Sequence, residues 1–176
     1  MSEKFSPGSP LGKALAEWWL KLKNDTASRA ELRRCDSVAK VVMTPAFQHL
    51  CQQLKPYFAN DDNWQDRLAA IAGLASHLKH DHVGSVLDSG EKRVEKLVEQ
   101  MAQAAGDRPV VSELRFRRLL LRERNDLYAP MIRILRMLRG NANLYGLAES
   151  IFYWGDNIKK RWAYAYFPKI PAKKSA

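Results

Sequence analysis

Residues 113–139, ELRFRRLLLRERNDLYAPMIRILRMLR, read as helix twice over. In the first part Phe116, Leu119 and Leu120 fall on one stripe at about 100° per residue, and Leu114 and Leu121 fall on a second. Arg115, Arg118 and Arg122 lie together between these stripes, and Arg117 and Arg124 lie on the opposite side. Two apolar stripes predict a helix packed on two sides, with its arginines emerging from a groove or seam. In the second part Met131, Ile134, Leu135 and Leu138 form a core stripe, and Arg133, Arg136 and Arg139 spread over the other side. Ser112 caps the first helix, which runs to about Arg124. The second starts at about Asp126 or Pro130, and Gly140 ends it.

The same periodicity extends in both directions. Asn143 caps a helix to about Trp154, and Asp156 caps another to about Phe167, burying Ile158, Trp162, Ala165 and Tyr166. Pro168, Pro171 and the KKSA end read as a frayed tail. Toward the N-terminus, Ser9-Pro10 starts a helix carrying Leu11, Leu15, Trp18 and Leu22 on one face. Ser28 followed by Glu31 has capping-box spacing for a short helix toward Cys35. Thr44-Pro45 opens a helix with Phe47, Leu50 and Leu54 inward, stopped by Pro56. Asn63 caps one with Trp64, Leu68, Ile71, Ala75 and Leu78 buried, and residues 91–105 put Val94, Leu97, Val98 and Met101 on one side. Gly106 to Val111 is a break. The predicted fold is all-α: two small helical bundles joined near residue 107, with no sheet. Residues 1–107 form the N-terminal bundle and residues 108–176 the C-terminal one.

Charge divides at the same place. Residues 1–107 carry 14 basic and 14 acidic side chains, whereas residues 108–176 carry 15 and 5, which accounts for the whole net charge of +10. Such asymmetry points to a polyanionic partner. Five acids cannot pair fifteen bases, so most arginines of the basic part are left for that partner. Arginine suits phosphate, because its planar fork donates two hydrogen bonds to one group. Lys159, Lys160 and Arg161 surround the buried stripe of the last helix, and Arg29, Arg33 and Arg34 form a further cluster in the neutral part. That cluster either extends the polyanion track or pairs locally. Trp154, Trp162, Tyr164, Tyr166 and Phe167 are able to stack on bases, but their helical spacing assigns most of them to the core.

Several function classes find little support. No apolar run approaches the roughly 20 residues of a membrane helix, and MSEKFSPGSP has no hydrophobic signal core, so the chain reads as cytosolic with no membrane partner. Cys35 and Cys51 form no CxxC pair and read as inert thiols. There is no phosphate-cradling glycine loop, no HExxH and no GxSxG. His77, His80, Asp81 and His82 have spacings that place ligands side by side on a helix, but they lead into Gly84 and read as a polar helix end. No catalytic residue, metal or cofactor is therefore expected. Residues 147–162 imitate a helix-turn-helix, but Phe152 falls where the tight turn wants glycine, and Arg161 falls at an apolar position. A sequence-specific helical DNA-binding regulator is the alternative reading.

One ordered set of residues goes further. Leu32-Arg33-Arg34, then Pro45-Ala46-Phe47 and Leu50, are followed by Arg115-Phe116-Arg117-Arg118-Leu119-Leu120 and by Leu135-Arg136 with Leu138. Asn143, Leu147-Ala148, Trp154, Trp162-Ala163 and Tyr166-Phe167 complete the series, with Ala72-Gly73-Leu74 matching loosely between. Over about residues 30–167 the chain resembles the CasB family, the small subunit of the type I-E CRISPR surveillance complex, Cascade. The resemblance implies an all-helical, non-catalytic subunit. It would contact the large subunit, the backbone subunits and another copy of itself, and help hold the CRISPR RNA–target hybrid and the displaced DNA strand. Base pairing supplies sequence specificity in such complexes, so this subunit need grip only backbone. The role attaches to Arg33, Arg34, Arg115, Arg117, Arg118 and Arg136, which lie in matching motifs. Arg122, Arg133, Lys159, Lys160 and Arg161 join them on charge alone.

Overall fold

A computed structural model describes residues 3–171. The first part of the chain forms α1 (Pro10–Lys21), α2 (Thr26–Arg33), α3 (Val38–Val42), α4 (Pro45–Leu54), α5 (Trp64–Ala75), α6 (Val83–Val86) and α7 (Arg93–Ala102). The second part forms α8 (Glu113–Leu120), α9 (Tyr128–Met137), α10 (Leu144–Phe152) and α11 (Asp156–Tyr166). The all-α expectation holds. The break after α7 is a small antiparallel hairpin, β1 (Ala104–Ala105) with β2 (Arg108–Pro109), turned at Gly106 with φ +67°. It is the only strand pairing among the described residues. The frayed tail expected at KKSA lies outside the described residues. Pro168 sits in a short 3₁₀ turn and Pro171 is half-buried.

Local chemistry explains most boundaries. Ser9 Oγ accepts from the Gly12 amide at 2.9 Å, Thr44 Oγ1 from Phe47 at 3.1 Å, and Asn143 Oδ1 from Gly146 at 2.9 Å. Each satisfies a first-turn N–H that has no helical partner. Two expected caps shift. Asp25, not Ser28, caps α2, accepting the Ser28 amide at 3.1 Å. Gly155 precedes α11, and Asp156 lies inside the first turn. Asn63 starts α5 through a left-handed backbone (φ 53°) without a side-chain bond. Helix α8 ends at Leu120 rather than near Arg124, because Arg124 is drawn to carbonyls at the end of α10.

Helix α10 is the axis of the fold. All nine of its residues are buried, and α5 and α7 pack along it, while α11 lies on α7 and α9 on α5. It is mostly apolar all round, as a helix inside a core should be, and its one charged side chain, Glu149, is paired with Arg93 and Arg161. Phe5, Phe58 and Trp64 close one end around Phe152, with Phe58 stacked on Trp64 at 4.9 Å. Trp19, rather than Trp18, is the fully buried tryptophan of α1. Residue 107 marks a boundary of charge. The core runs across it, since α5 and α7 from one side and α10 and α11 from the other share one continuous set of buried side chains.

Candidate nucleic-acid interface

Helix α8 is fixed by one aromatic. Phe116 stacks on Tyr166 of α11 with ring centroids 3.8 Å apart and planes 9° apart, and lies 6.1 Å from Trp162. Burying a phenylalanine side chain is worth roughly 1.5–3 kcal/mol, enough to set which face of a two-turn helix turns inward. The second apolar stripe is not packed, contrary to the expectation from periodicity: Leu114 is 57% and Leu121 81% exposed. Helix α11 covers one side of α8, and no described element covers the other. Arg115, Arg117, Arg118 and Arg122 are all exposed, and none has a carboxylate partner among the described residues.

A second locus joins the two parts of the chain. The end of α5 meets α2 and the end of α9 around His77. Arg29 Nε donates to the Ser76 carbonyl at 3.2 Å and its Nη2 to the Leu78 carbonyl at 3.0 Å. The Lys79 amide donates to the Gly140 carbonyl at 3.1 Å. His77 is buried, its Nε2 has no hydrogen-bond partner, and its pKa is lowered to about 4. Burial is the largest cause, followed by the charges of Arg33, Arg136 and Arg29. Arg33 and Arg136, from opposite sides of residue 107, thus act on one imidazole. Both are exposed, as are Arg34, Arg133 and Arg139.

The basic side chains of α11 divide. Arg161 donates to Glu95 through Nε (2.9 Å) and Nη2 (3.1 Å), and to Glu149 through Nη1 (3.2 Å). Those bonds to Glu95, outweighing burial, raise its pKa. Its fork is filled by carboxylates. Lys159 lies 5.7 Å from the Trp154 ring and 4.0 Å from Glu123. Because the Trp154 indole N–H donates to the Arg122 carbonyl at 2.9 Å, the start of α11 sits beside the end of α8. Lys160 is exposed and unpaired among the described residues.

Other arginines are structural in a way periodicity does not reveal. Arg124 donates to the carbonyls of Ile151 (2.8 Å), Phe152 (3.0 Å) and Trp154 (2.9 Å), closing the C-terminal end of α10. Arg67 also reaches the Phe152 carbonyl, at 3.4 Å, and covers the Phe152 ring at 5.2 Å. Arg29 does the same for the end of α5. Its cluster therefore splits: Arg29 is held locally, while Arg33 and Arg34 face outward. In sequence these three look like any other arginine.

The histidine cluster does not assemble. His77 is buried, Asp81 is exposed, and His80 stacks on Trp19 at 4.5 Å and 11°. Among the described residues no three His, Cys, Asp or Glu side chains are placed to hold a metal. Cys35 and Cys51 are free thiols, both with pKa raised first by burial. Trp154, Trp162 and Tyr166 are core, whereas Tyr164 and Phe167 are exposed. No described helix is long and apolar enough to cross a membrane.

The chain is all-helical apart from one small hairpin, with exposed arginines on separate helices that have no carboxylate partner among the described residues. The family model described as CRISPR-associated protein Cse2 matches residues 28–167, and the chain belongs to this family, the small subunits of CRISPR Cascade. No curated protein and no solved structure gives a match.

Proposed function

We propose that this chain is the non-catalytic small subunit of a type I-E Cascade ribonucleoprotein in antiviral defence. It grips nucleic-acid backbone without sequence preference and steadies the guide–target hybrid and the displaced DNA strand. The observation that carries this reading is the row of exposed arginines on α8, without carboxylate partners among the described residues, held in place by the buried Phe116. Arg33, Arg34, Arg133 and Arg136 extend the grip around His77, and Lys159 and Lys160 extend it beside Arg122. Arg161 we assign to the fold instead, since two carboxylates already occupy it. The large subunit, the backbone subunits, another copy of the chain and the CRISPR RNA are its partners, in the cytoplasm.

Two features weigh against the sequence-specific regulator. The first helix of a helix-turn-helix crosses the DNA backbone, but α10 is buried along its whole length. The would-be recognition helix α11 has its best reader, Arg161, tied to Glu95. Binding to single- and double-stranded DNA across a salt series tests the choice. A backbone grip loses affinity steeply with salt and ignores base changes. Affinity that survives high salt and drops on single base changes would restore the regulator.

A further inference from the structure

A cleft of about 720 Å³ lies on the face formed by α3, α5, α9 and the turn that contains Arg124. None of the proposed nucleic-acid residues lines it. Its wall is aliphatic, with Val42, Ala70, Leu74 and Ile151, and Met43 stands at its rim 74% exposed. At its polar side Arg67 and Arg124 converge on the Phe152 carbonyl. Neither has an ion pair among the described residues, and Arg67 Nε is buried without a hydrogen-bond partner. Asp66 also lines the cleft, but it pairs with neither arginine. Burial, then the charge of the neighbouring Arg67, lowers the Arg124 pKa, as expected of a half-buried cation beside another. An apolar wall beside two guanidiniums that have no carboxylate partner among the described residues fits an occupant that is both aliphatic and anionic.

We propose that this cleft docks a segment of a different protein subunit that presents an aliphatic side chain next to a carboxylate. A nucleotide fits poorly. Bases need a flat face to stack on, yet the one lining aromatic, Tyr128, is buried with its hydroxyl donating to the Cys35 carbonyl at 3.3 Å, and the Arg67 plane already covers Phe152. A second copy of the chain fits poorly too. Its two most exposed leucines, Leu114 and Leu121, stand among Arg115, Arg117, Arg118 and Arg122, which would meet Arg67 and Arg124 with like charge. An exposed methionine at the rim suits a protein contact, because its thioether adapts to irregular surfaces. Docking here rests on the reading of the chain as a subunit of a larger assembly, and it is independent of the arginine track.

The test uses the complete ribonucleoprotein assembled with a photo-crosslinking p-benzoylphenylalanine at position 43. Irradiation is expected to join the chain to another protein subunit, at a peptide with an aliphatic residue beside Asp or Glu. A cross-link to nucleic acid, to a second copy or to a segment without a carboxylate, or no cross-link at all, overturns the proposal. Two rim variants read the charge. Met43→Glu should reduce retention in the complex roughly tenfold, and Met43→Lys should retain it. Both should leave the DNA affinity of the isolated chain unchanged, which separates this cleft from the arginine track. Equal retention of the two variants would contradict the carboxylate.

Discussion

Arg161 and Glu95 form a two-pronged ion pair, Nε to Oε1 at 2.9 Å and Nη2 to Oε2 at 3.1 Å, that latches α11 onto α7 across the charge boundary. Glu149, buried on α10, shares the same guanidinium at 3.2 Å and also meets Arg93 at 3.4 Å. Removing Arg161 leaves Glu95 alone and Glu149 with one distant partner. Fully buried pairs cost about 3–5 kcal/mol to break, and Arg161 keeps 31% of its side-chain exposure, so Arg161→Ala should cost roughly 2 kcal/mol. Arg117→Ala, with no partner to abandon among the described residues, should stay within about 0.5 kcal/mol. Urea titrations of the two variants check the contrast.

Arg124→Ala should destabilise by roughly 2 kcal/mol without touching the exposed arginines. Three carbonyls of the α10 end, at Ile151, Phe152 and Trp154, lose their shared donor. Each is partly buried, and an unpaired buried acceptor costs about 1–3 kcal/mol, less where water reaches it. Thermal melting with DNA affinity measured in parallel separates this fold role from a binding role, because affinity should be unchanged at temperatures well below the melting point.

Stability should fall on mild acidification. The His77 pKa is lowered to about 4 in the folded chain, by burial and then by Arg33, Arg136 and Arg29, against an ordinary value of 6.5. Between those values the unfolded chain binds a proton that the folded chain refuses, so stability decreases as pH drops through that window. From pH 7 to pH 5 the loss from His77 is about 2 kcal/mol. His80, lowered for similar reasons, adds in the same direction. Burial pushes the Glu95 carboxyl up, but the Arg161 hydrogen bonds and charge, a backbone hydrogen bond and the Lys92 charge together bring it down, so that it ends low. Its stabilising share is lost only as pH falls below the carboxylate range. His77→Gln should therefore flatten the pH 5–7 slope but leave the steeper loss at lower pH, as read by denaturation at a series of pH values.

Gly140→Ala tests the junction of α9 with the end of α5. Gly140 has φ +74°, and a Cβ there would lie 2.8 Å from the His77 carbonyl oxygen and the Lys79 amide nitrogen. Backbone strain and the clash together should cost about 1–3 kcal/mol. Since Arg33 and Arg136 both act on His77 at this junction, the same variant should also weaken DNA binding measured on the folded protein.

Much of the fold was legible because the physics was local. Ser9, Thr44, Ser112 and Asn143 announce helices that begin where expected, and Phe116, Trp162 and Tyr166 announce a core stripe that the structure assembles. What stayed hidden depends on which neighbour arrives. Leu114 and Leu121 have the spacing of a buried stripe, yet no described element covers them. Arg161, Arg124 and Arg29 look like surface cations, but a distant carboxylate pair neutralises the first and two helix ends hold the other two in place. Asp25 outcompetes Ser28 because its carboxylate reaches the same turn first. The charge count drew its line at residue 107, while the packing of α7 against α10 and α11 ignores it.

The most direct test of the central claim is the salt dependence of single-stranded DNA affinity for Arg115→Glu/Arg118→Glu/Arg122→Glu beside wild type. These side chains are exposed and unpaired among the described residues, so the folded bundle should survive with its melting temperature nearly unchanged. For every phosphate that the variant no longer neutralises, the slope of log affinity against log salt should shrink by about 0.7 on a single strand, and affinity at low salt should drop at least tenfold. A folded variant with wild-type affinity and slope would contradict the account, and would mean that α8 faces something other than nucleic acid.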